Sequence, residues 1–178
     1  MARAGDDSLE DLFKAFPALL GRAATAAERR AFGRYADLLL LWNRTHHLTA
    51  LRSRSAMGRG LFLDSLLFRA LIPPGRQRVA DIGAGAGIPG VPLRIVEQEL
   101  LLTLVESKRK PVSFVHALVR ERDLTDITVR HVPAEQLITE LPEIAGGFDL
   151  VLTRAVGLDL DFVEAAMLFL RPGGSLLA

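Results

Sequence analysis

There is no cysteine in the 178 residues, which excludes disulfides, thiolate zinc sites, iron–sulfur clusters and cysteine nucleophiles, and fits a reducing compartment. No apolar run reaches membrane-spanning length: residues 38–42 and 61–68 are short, and Asp64 and Ser65 interrupt the second. The first ten residues carry Asp6, Asp7 and Glu10 and no long apolar stretch, so they do not read as a secretory signal. Low-complexity, collagen-like and repeat patterns are missing too, and the expectation is a soluble, cytoplasmic protein. With 49% hydrophobic and 24% charged residues the chain is globular rather than disordered. Its length suits one sizeable core, with or without a small helical appendage.

The net charge of +1 hides an asymmetry. Residues 1–80 hold 13 Arg/Lys against 7 Asp/Glu, a balance of +6, whereas residues 81–178 hold 9 against 14, a balance of −5. Between Leu38 and Leu63 there is no acid at all, while Arg44, Arg52, Arg54, Arg59, His46 and His47 all fall there. Such a stretch can hold a phosphate backbone by neutralising charge and releasing counterions. A solvated loop in an arginine-rich chain is the plainer alternative.

The first 80 residues read as helices. Ser8-Leu9-Glu10-Asp11 and Thr25-Ala26-Ala27-Glu28 both have the hydroxyl-x-x-acid spacing of a capping box. After Thr25, Phe32, Tyr35, Ala36, Leu39 and Trp42 recur at helical spacing, and the helix is expected to end near Asn43. A third helix over 56–71 stops at Pro73-Pro74-Gly75. The division this suggests is 1–74, a helical extension, and 75–178, an open α/β domain. From there the rhythm changes to strands over 78–82, 101–106, 126–132, 148–153 and 174–178, with helical stretches over 91–98, 108–122, 134–141 and 158–170. This alternation predicts an open parallel α/β sheet, whose ligands bind outside the carboxyl ends of the strands.

The strongest local signal follows the first strand: Asp81-Ile82-Gly83-Ala84-Gly85-Ala86-Gly87-Ile88-Pro89-Gly90. Its glycines allow a tight turn and a close approach of backbone to ligand. The pattern alone fits either a nicotinamide or an adenosyl-methionine enzyme. Two details favour the second: Asp81 stands just before the glycines, where a carboxylate can meet a cationic amino acid end directly or through water, and Pro89 removes an amide that a pyrophosphate would use. Glu106 lies nineteen residues after Gly87 at the expected end of the second strand, placed to accept both ribose hydroxyls of an adenosine or, more plainly, to pair with Lys108 or Lys110. Ala134-Glu135 after the third strand can flank an adenine, although Glu135 taken alone reads more plainly as a solvated acid at a helix start. Arg154 after the fourth can hold a substrate phosphate or the donor carboxylate. His46 and His47 are read as RNA-facing or structural, since adjacent residues in regular structure do not face one site.

Together these residues resemble the bacterial small-subunit ribosomal RNA guanine-N7 methyltransferases, RsmG, also called GidB. The likeness runs from about Trp42 to Ala178 through Trp42-Asn43, Leu48-Thr49, Leu63-Asp64-Ser65, the block from Asp81 to Leu93, Leu104-Val105-Glu106-Ser107 with Lys110 and Phe114, Phe148-Asp149 and Arg154-Ala155. The resemblance implies a Rossmann-like class I methyltransferase sheet of order 3-2-1-4-5 with S-adenosyl-methionine as cofactor. Gly83, Ile88, Ala134, Glu135 and Arg154 would contact the donor and Glu106 its ribose. Arg44, His47, Arg52, Arg54, Arg59, Lys110 and Arg154 are the candidates for contact with ribosomal RNA or the small subunit. The sequence departs from the family pattern at His47, at Gly60-Leu61 where Arg-His is usual, and at Pro133 where Arg is usual. It also stops where the family continues through a Lys-Gly pair and two more strands, so an exposed fifth-strand edge, a template for association, is expected.

Guanine N7 carries an in-plane lone pair and no proton, so its methylation needs no general base. No catalytic side chain and no metal ligand is therefore expected, and positioning carries the rate. The sequence has no Asp-Pro-Pro-aromatic tetrad after the fourth strand, the mark of amino-group methylation. The rival readings are a non-catalytic RNA-binding or ribosome-assembly factor that keeps the donor fold, and a nicotinamide-dependent oxidoreductase. The second lacks a catalytic Tyr or Lys motif, the lone Tyr35 being in the helical region.

Overall fold

The computed structural model describes residues 8–121, 124–133, 136, 139, 142–154 and 160–178. Five strands, β1 (Gln77–Ile82), β2 (Leu100–Glu106), β3 (Ile127–His131), β4 (Phe148–Thr153) and β5 (Leu170–Leu177), form one sheet in the order β3-β2-β1-β4-β5, and every neighbouring pair is parallel. The expected order and the parallel α/β class are both observed. Alternation along β1 feeds two layers: Val79 joins a core beneath one face of the sheet, and Ala80 and Ile82 join a second core beneath the other.

The first core is the larger. It gathers Val79, Leu102, Leu104, Leu150 and Leu152 from the sheet with buried residues of α1 (Glu10–Leu20), α2 (Ala26–His46), α5 (Gly90–Val96) and α6 (Arg109–Glu121). The few aromatics are concentrated here: Phe13, Phe16, Phe32, Phe62, Tyr35, Phe114 and Trp42 form one chain of ring contacts, with centroids 4.9–6.4 Å apart. The second core places Phe162 and Ala166 of α7 (Leu160–Met167) against Phe148, Val151 and Val105. The N-terminal helices thus complete one layer of the sheet domain.

Thr25 caps α2 with the reciprocal box expected, its hydroxyl accepting from the Glu28 amide while the Glu28 carboxylate accepts from the Thr25 amide. The first box is not realised in that form. The N-cap of α1 is Leu9, and the Ser8 hydroxyl accepts from the Glu10 amide at 3.4 Å. Helix α2 runs past Asn43 to His46, and His47 closes it in the left-handed region at φ 52°. Residues 54–71 form a single helical run of changing pitch: α3 (Arg54–Met57), a π-helical turn (Gly58–Leu63), α4 (Asp64–Leu67) and a 3-10 turn (Phe68–Leu71). Strand β5 begins at Leu170, not at Gly174: Leu170 pairs with Phe148 and Ser175 with Leu150, so the Pro-Gly-Gly segment bulges within the strand instead of preceding it.

Candidate functional site

The carboxyl ends of β1, β2 and β4 converge with the C-terminal end of α2 on a cavity of about 820 Å³. It is lined by His46, His47, Leu48, Gly83, Gly85, Glu106, Ser107, Lys108, Arg109, Lys110, Pro111 and Arg154. A smaller apolar recess of about 220 Å³ adjoins it, sharing Leu48, Gly83, Gly85 and Arg154 and adding Ile88 and Leu61. Of the expected site residues, Gly83, Gly85, Ile88, Glu106, Lys110, His47 and Arg154 are therefore brought together. Ala134 and Glu135 lie outside the described residues.

The glycine loop is shaped from below. Gly83 and Ala84 both donate to the Val105 carbonyl, at 2.9 and 3.1 Å, which turns the chain off β1 and over the end of β2. Gly85 has φ +55°, and a Cβ there would meet only the Gly83 carbonyl oxygen, at an ordinary 3.9 Å, so it presents bare backbone to the cavity. Its amide donates to Glu106 Oε2 at 2.8 Å, and the Lys108 amide donates to Oε1 at 2.7 Å. Glu106 thus spans the two turns bordering the cavity, and neither Lys108 nor Lys110 forms a described ion pair with it. Oε1 also accepts from the Ser107 hydroxyl at 3.4 Å, so the remaining lone-pair capacity is on Oε2.

Two glycine-loop positions are held by the fold. Gly87, at φ +86°, lines neither cavity, and a Cβ there would lie 2.8 Å from Val91 Cγ2 and 3.2 Å from the Tyr35 hydroxyl, so packing demands a glycine. Asp81 does not reach the cavity either. It is fully buried, and its Oδ2 accepts from the Gly90 amide at 2.8 Å, capping the start of α5. Its Oδ1 has no hydrogen-bond partner among the described residues. Burial pushes its carboxyl up to about 7; the Gly90 amide opposes this and the Glu106 charge reinforces it.

Sequence reasoning missed two supports. The Tyr35 hydroxyl, fully buried on α2, donates to the Ala86 carbonyl and so ties the helical region to the glycine loop. Burial, followed by the nearby Asp81, pushes this phenol well above its ordinary value, which keeps it a donor. Asn43 is also buried: it donates to the carbonyls of Thr49 (2.9 Å) and Leu51 (3.1 Å) and accepts from the Thr49 amide (3.0 Å), fixing the loop that follows α2. In the sequence Tyr35 reads as a helix-face residue and Asn43 as a helix end within the Trp42-Asn43 block; no local signal marks their partners, which are remote or set by the fold of the loop.

The cations divide into two groups. Arg154 donates to the Gly60 carbonyl at 2.9 Å and pairs with Asp64 at 2.6 Å, linking the end of β4 to the π-helical turn and the start of α4, and its buried Nη1 is without a partner among the described residues. Arg54 is paired with Asp37, and Arg59 with Asp11 at 2.8 Å. Arg44 and Arg52, by contrast, form no ion pair among the described residues. His46 and His47 both line the large cavity, against the expectation for adjacent residues, because the left-handed backbone at His47 breaks the helical spacing. Among the described residues there is no metal-ligating cluster, and no helix is long and apolar enough to cross a membrane.

The family profile described as GidB, rRNA small subunit methyltransferase G, matches residues 28–178. A ribosomal RNA small subunit methyltransferase G of Chloroflexus aggregans is 40% identical over 147 residues, covering 83% of this chain and 61% of the relative. Its namesake from Xanthomonas oryzae pv. oryzae is 39% identical over 145 residues, covering 82% and 65%. The chain thus spans a little under two thirds of the length of these relatives. A SAM-dependent methyltransferase of Aquifex aeolicus shares the fold, with a TM-score of 0.58 at 16% identity, over 74% of this chain and 70% of that one.

Proposed function

This chain belongs to the GidB family of rRNA small subunit methyltransferases G, and from that premise we propose that it transfers a methyl group from S-adenosyl-methionine to N7 of a guanine in small-subunit ribosomal RNA, acting in the cytoplasm. The observation that carries the reading is the meeting of the bare Gly85 backbone, the Glu106 carboxylate and the Arg154 guanidinium in one cavity. The donor set fits the cofactor. Glu106 Oε2 has lone-pair capacity for a ribose hydroxyl, Arg154 Nη1, without a partner among the described residues, suits a carboxylate, and the absence of a side chain at Gly85 admits close approach.

Bound there, the donor supplies an electrophilic methyl on a sulfonium. The protein's part is orientation: Glu106 holds the glycine loop and the turn after β2 in fixed relation, and Tyr35 and Asp81 hold the same loop from behind. Since N7 carries no proton, no side chain has to remove one, and the rate comes from alignment and exclusion of water. The division into an RNA-facing segment (1–74) and a donor-binding domain (75–178), and the candidate roles of Lys110 and His47 at the rim, belong to this reading. Ala134 and Glu135 are proposed for the adenine on the family likeness alone.

Isothermal titration with S-adenosyl-methionine and, separately, NAD tests the cofactor: the first binds and the second does not. Gly85→Val closes the approach and abolishes donor binding while the fold stays cooperative. Incubation with small-subunit RNA, free and in assembled subunits, yields N7-methylguanine. Methyl on an exocyclic amine or ribose would refute the specificity, and donor binding without any product would favour an assembly factor.

A further inference from the structure

Beside the large cavity lies a second, of about 440 Å³, lined by Leu40, Asn43, Arg44, His47 and Arg52. We propose that it holds a backbone phosphate of the RNA strand whose base enters the large cavity, so that Arg44 and Arg52, and not Arg54 and Arg59, carry the phosphate path. This rests on the RNA-methyltransferase reading for the identity of the strand.

Three observations support it. Among the described residues no carboxylate lines the small cavity. Arg44 has no hydrogen bond or ion pair among the described residues, and the hydrogen bond of Arg52, from Nη1 to the Thr49 carbonyl at 3.1 Å, leaves most of its guanidinium donors unspent. Guanidinium groups match phosphate oxygens in pairs, so two of them beside a histidine make a strong anion-binding site. The site is also preorganised: the buried Asn43 amide fixes the backbone at Thr49 and Leu51, which sets the loop that carries Arg52. Finally, His47 lines both cavities, so a strand lying across it would occupy the two at once. The uninterrupted cationic sequence from Arg44 to Arg59 is thereby split by structure, because Asp37 and Asp11 already neutralise Arg54 and Arg59.

The test is the salt dependence of binding to a labelled single-stranded, guanosine-containing oligoribonucleotide, followed by anisotropy. In the double variant Arg44→Gln/Arg52→Gln the log–log slope should fall in magnitude by about one unit and affinity by about tenfold at low salt, with Lys at both positions restoring the slope. Removing the ion pairs whole, Arg54→Gln with Asp37→Asn and Arg59→Gln with Asp11→Asn, should leave the slope unchanged. An equal loss in the ion-pair variants, or none in the first, overturns the proposal, as does a parent protein that binds no oligoribonucleotide. Titration of the same proteins with S-adenosyl-methionine separates the two readings. If the slope changes as expected but no donor binds, the phosphate site stands and the methyltransferase reading falls; if the donor binds and RNA does not, the phosphate site falls and the donor site stands.

Discussion

Two loops border the large cavity and are held in opposite ways. The glycine loop is gripped by buried groups from three directions: Tyr35 from α2, Glu106 from β2, and Asp81 through the start of α5. The loop after α2 is held by one buried side chain, Asn43, and Arg44 and Arg52 beside it stand without carboxylate partners among the described residues. The first arrangement suits a small ligand recognised by shape, since it fixes backbone in a dry setting. The second suits a polyanion recognised by charge, since it costs little to order and answers to salt.

The sharpest way to break this contrast is pH. Because burial pushes Asp81 to about 7 against an ordinary 3.8, the folded state favours the protonated carboxyl. The stabilisation is complete below about pH 4 and is lost as pH rises toward 7, roughly 4 kcal/mol across the window. Asp81→Asn keeps an oxygen for the Gly90 amide and should flatten that slope, measured as denaturation midpoints across pH. An unaltered slope would place the titration elsewhere. Next in size is Gly87→Ala, whose Cβ would strike Val91 and the Tyr35 hydroxyl at φ +86°; about 3 kcal/mol should disappear from urea unfolding. Asn43→Ala removes three hydrogen bonds to the loop backbone and should remove about 2 kcal/mol. It should also weaken oligoribonucleotide binding while donor affinity, read by calorimetry, holds; a parallel loss of donor affinity would mean that the two loops are one unit. Smallest is Gly85→Ala, whose Cβ would meet only the Gly83 carbonyl oxygen at 3.9 Å, so that the left-handed φ alone costs about 1 kcal/mol. A cost equal to that at Gly87 would mean that the loop's two glycines do not differ in role.

Local chemistry is legible in the sequence. The Thr25 box, the turn at Gly83 and Gly85, and Glu106 at the end of β2 all depend on residues within one βα unit or on a fixed strand spacing. The strand order follows from the alternation together with the family likeness. What escapes depends on distant chain: Tyr35 meets Ala86 across 51 residues, and Arg154 meets Gly60 across 94. The carboxylates of Asp37 and Asp11 likewise come to Arg54 and Arg59 only through helix packing, so a run of like charge in sequence becomes two different surfaces. At β5, proline and glycine look like a boundary in the sequence, whereas pairing with β4 on either side carries the strand across them as a bulge.

The sheet order also sets the timetable of assembly. Strand β1 lies between β2 and β4, and its partner on the β4 side is some 70 residues downstream, Val79 opposite Leu150. During synthesis one edge of β1 therefore stays open while β2, α6 and β3 are made, and the Arg154 link to the π-helical turn is made only after β4 has emerged. A nascent chain halted before β4 would expose an apolar edge and an incomplete pocket. The cavity is closed only once β4 and Arg154 have been made, and pairing of long sequence separation, slow by nature, stands between translation and a competent site.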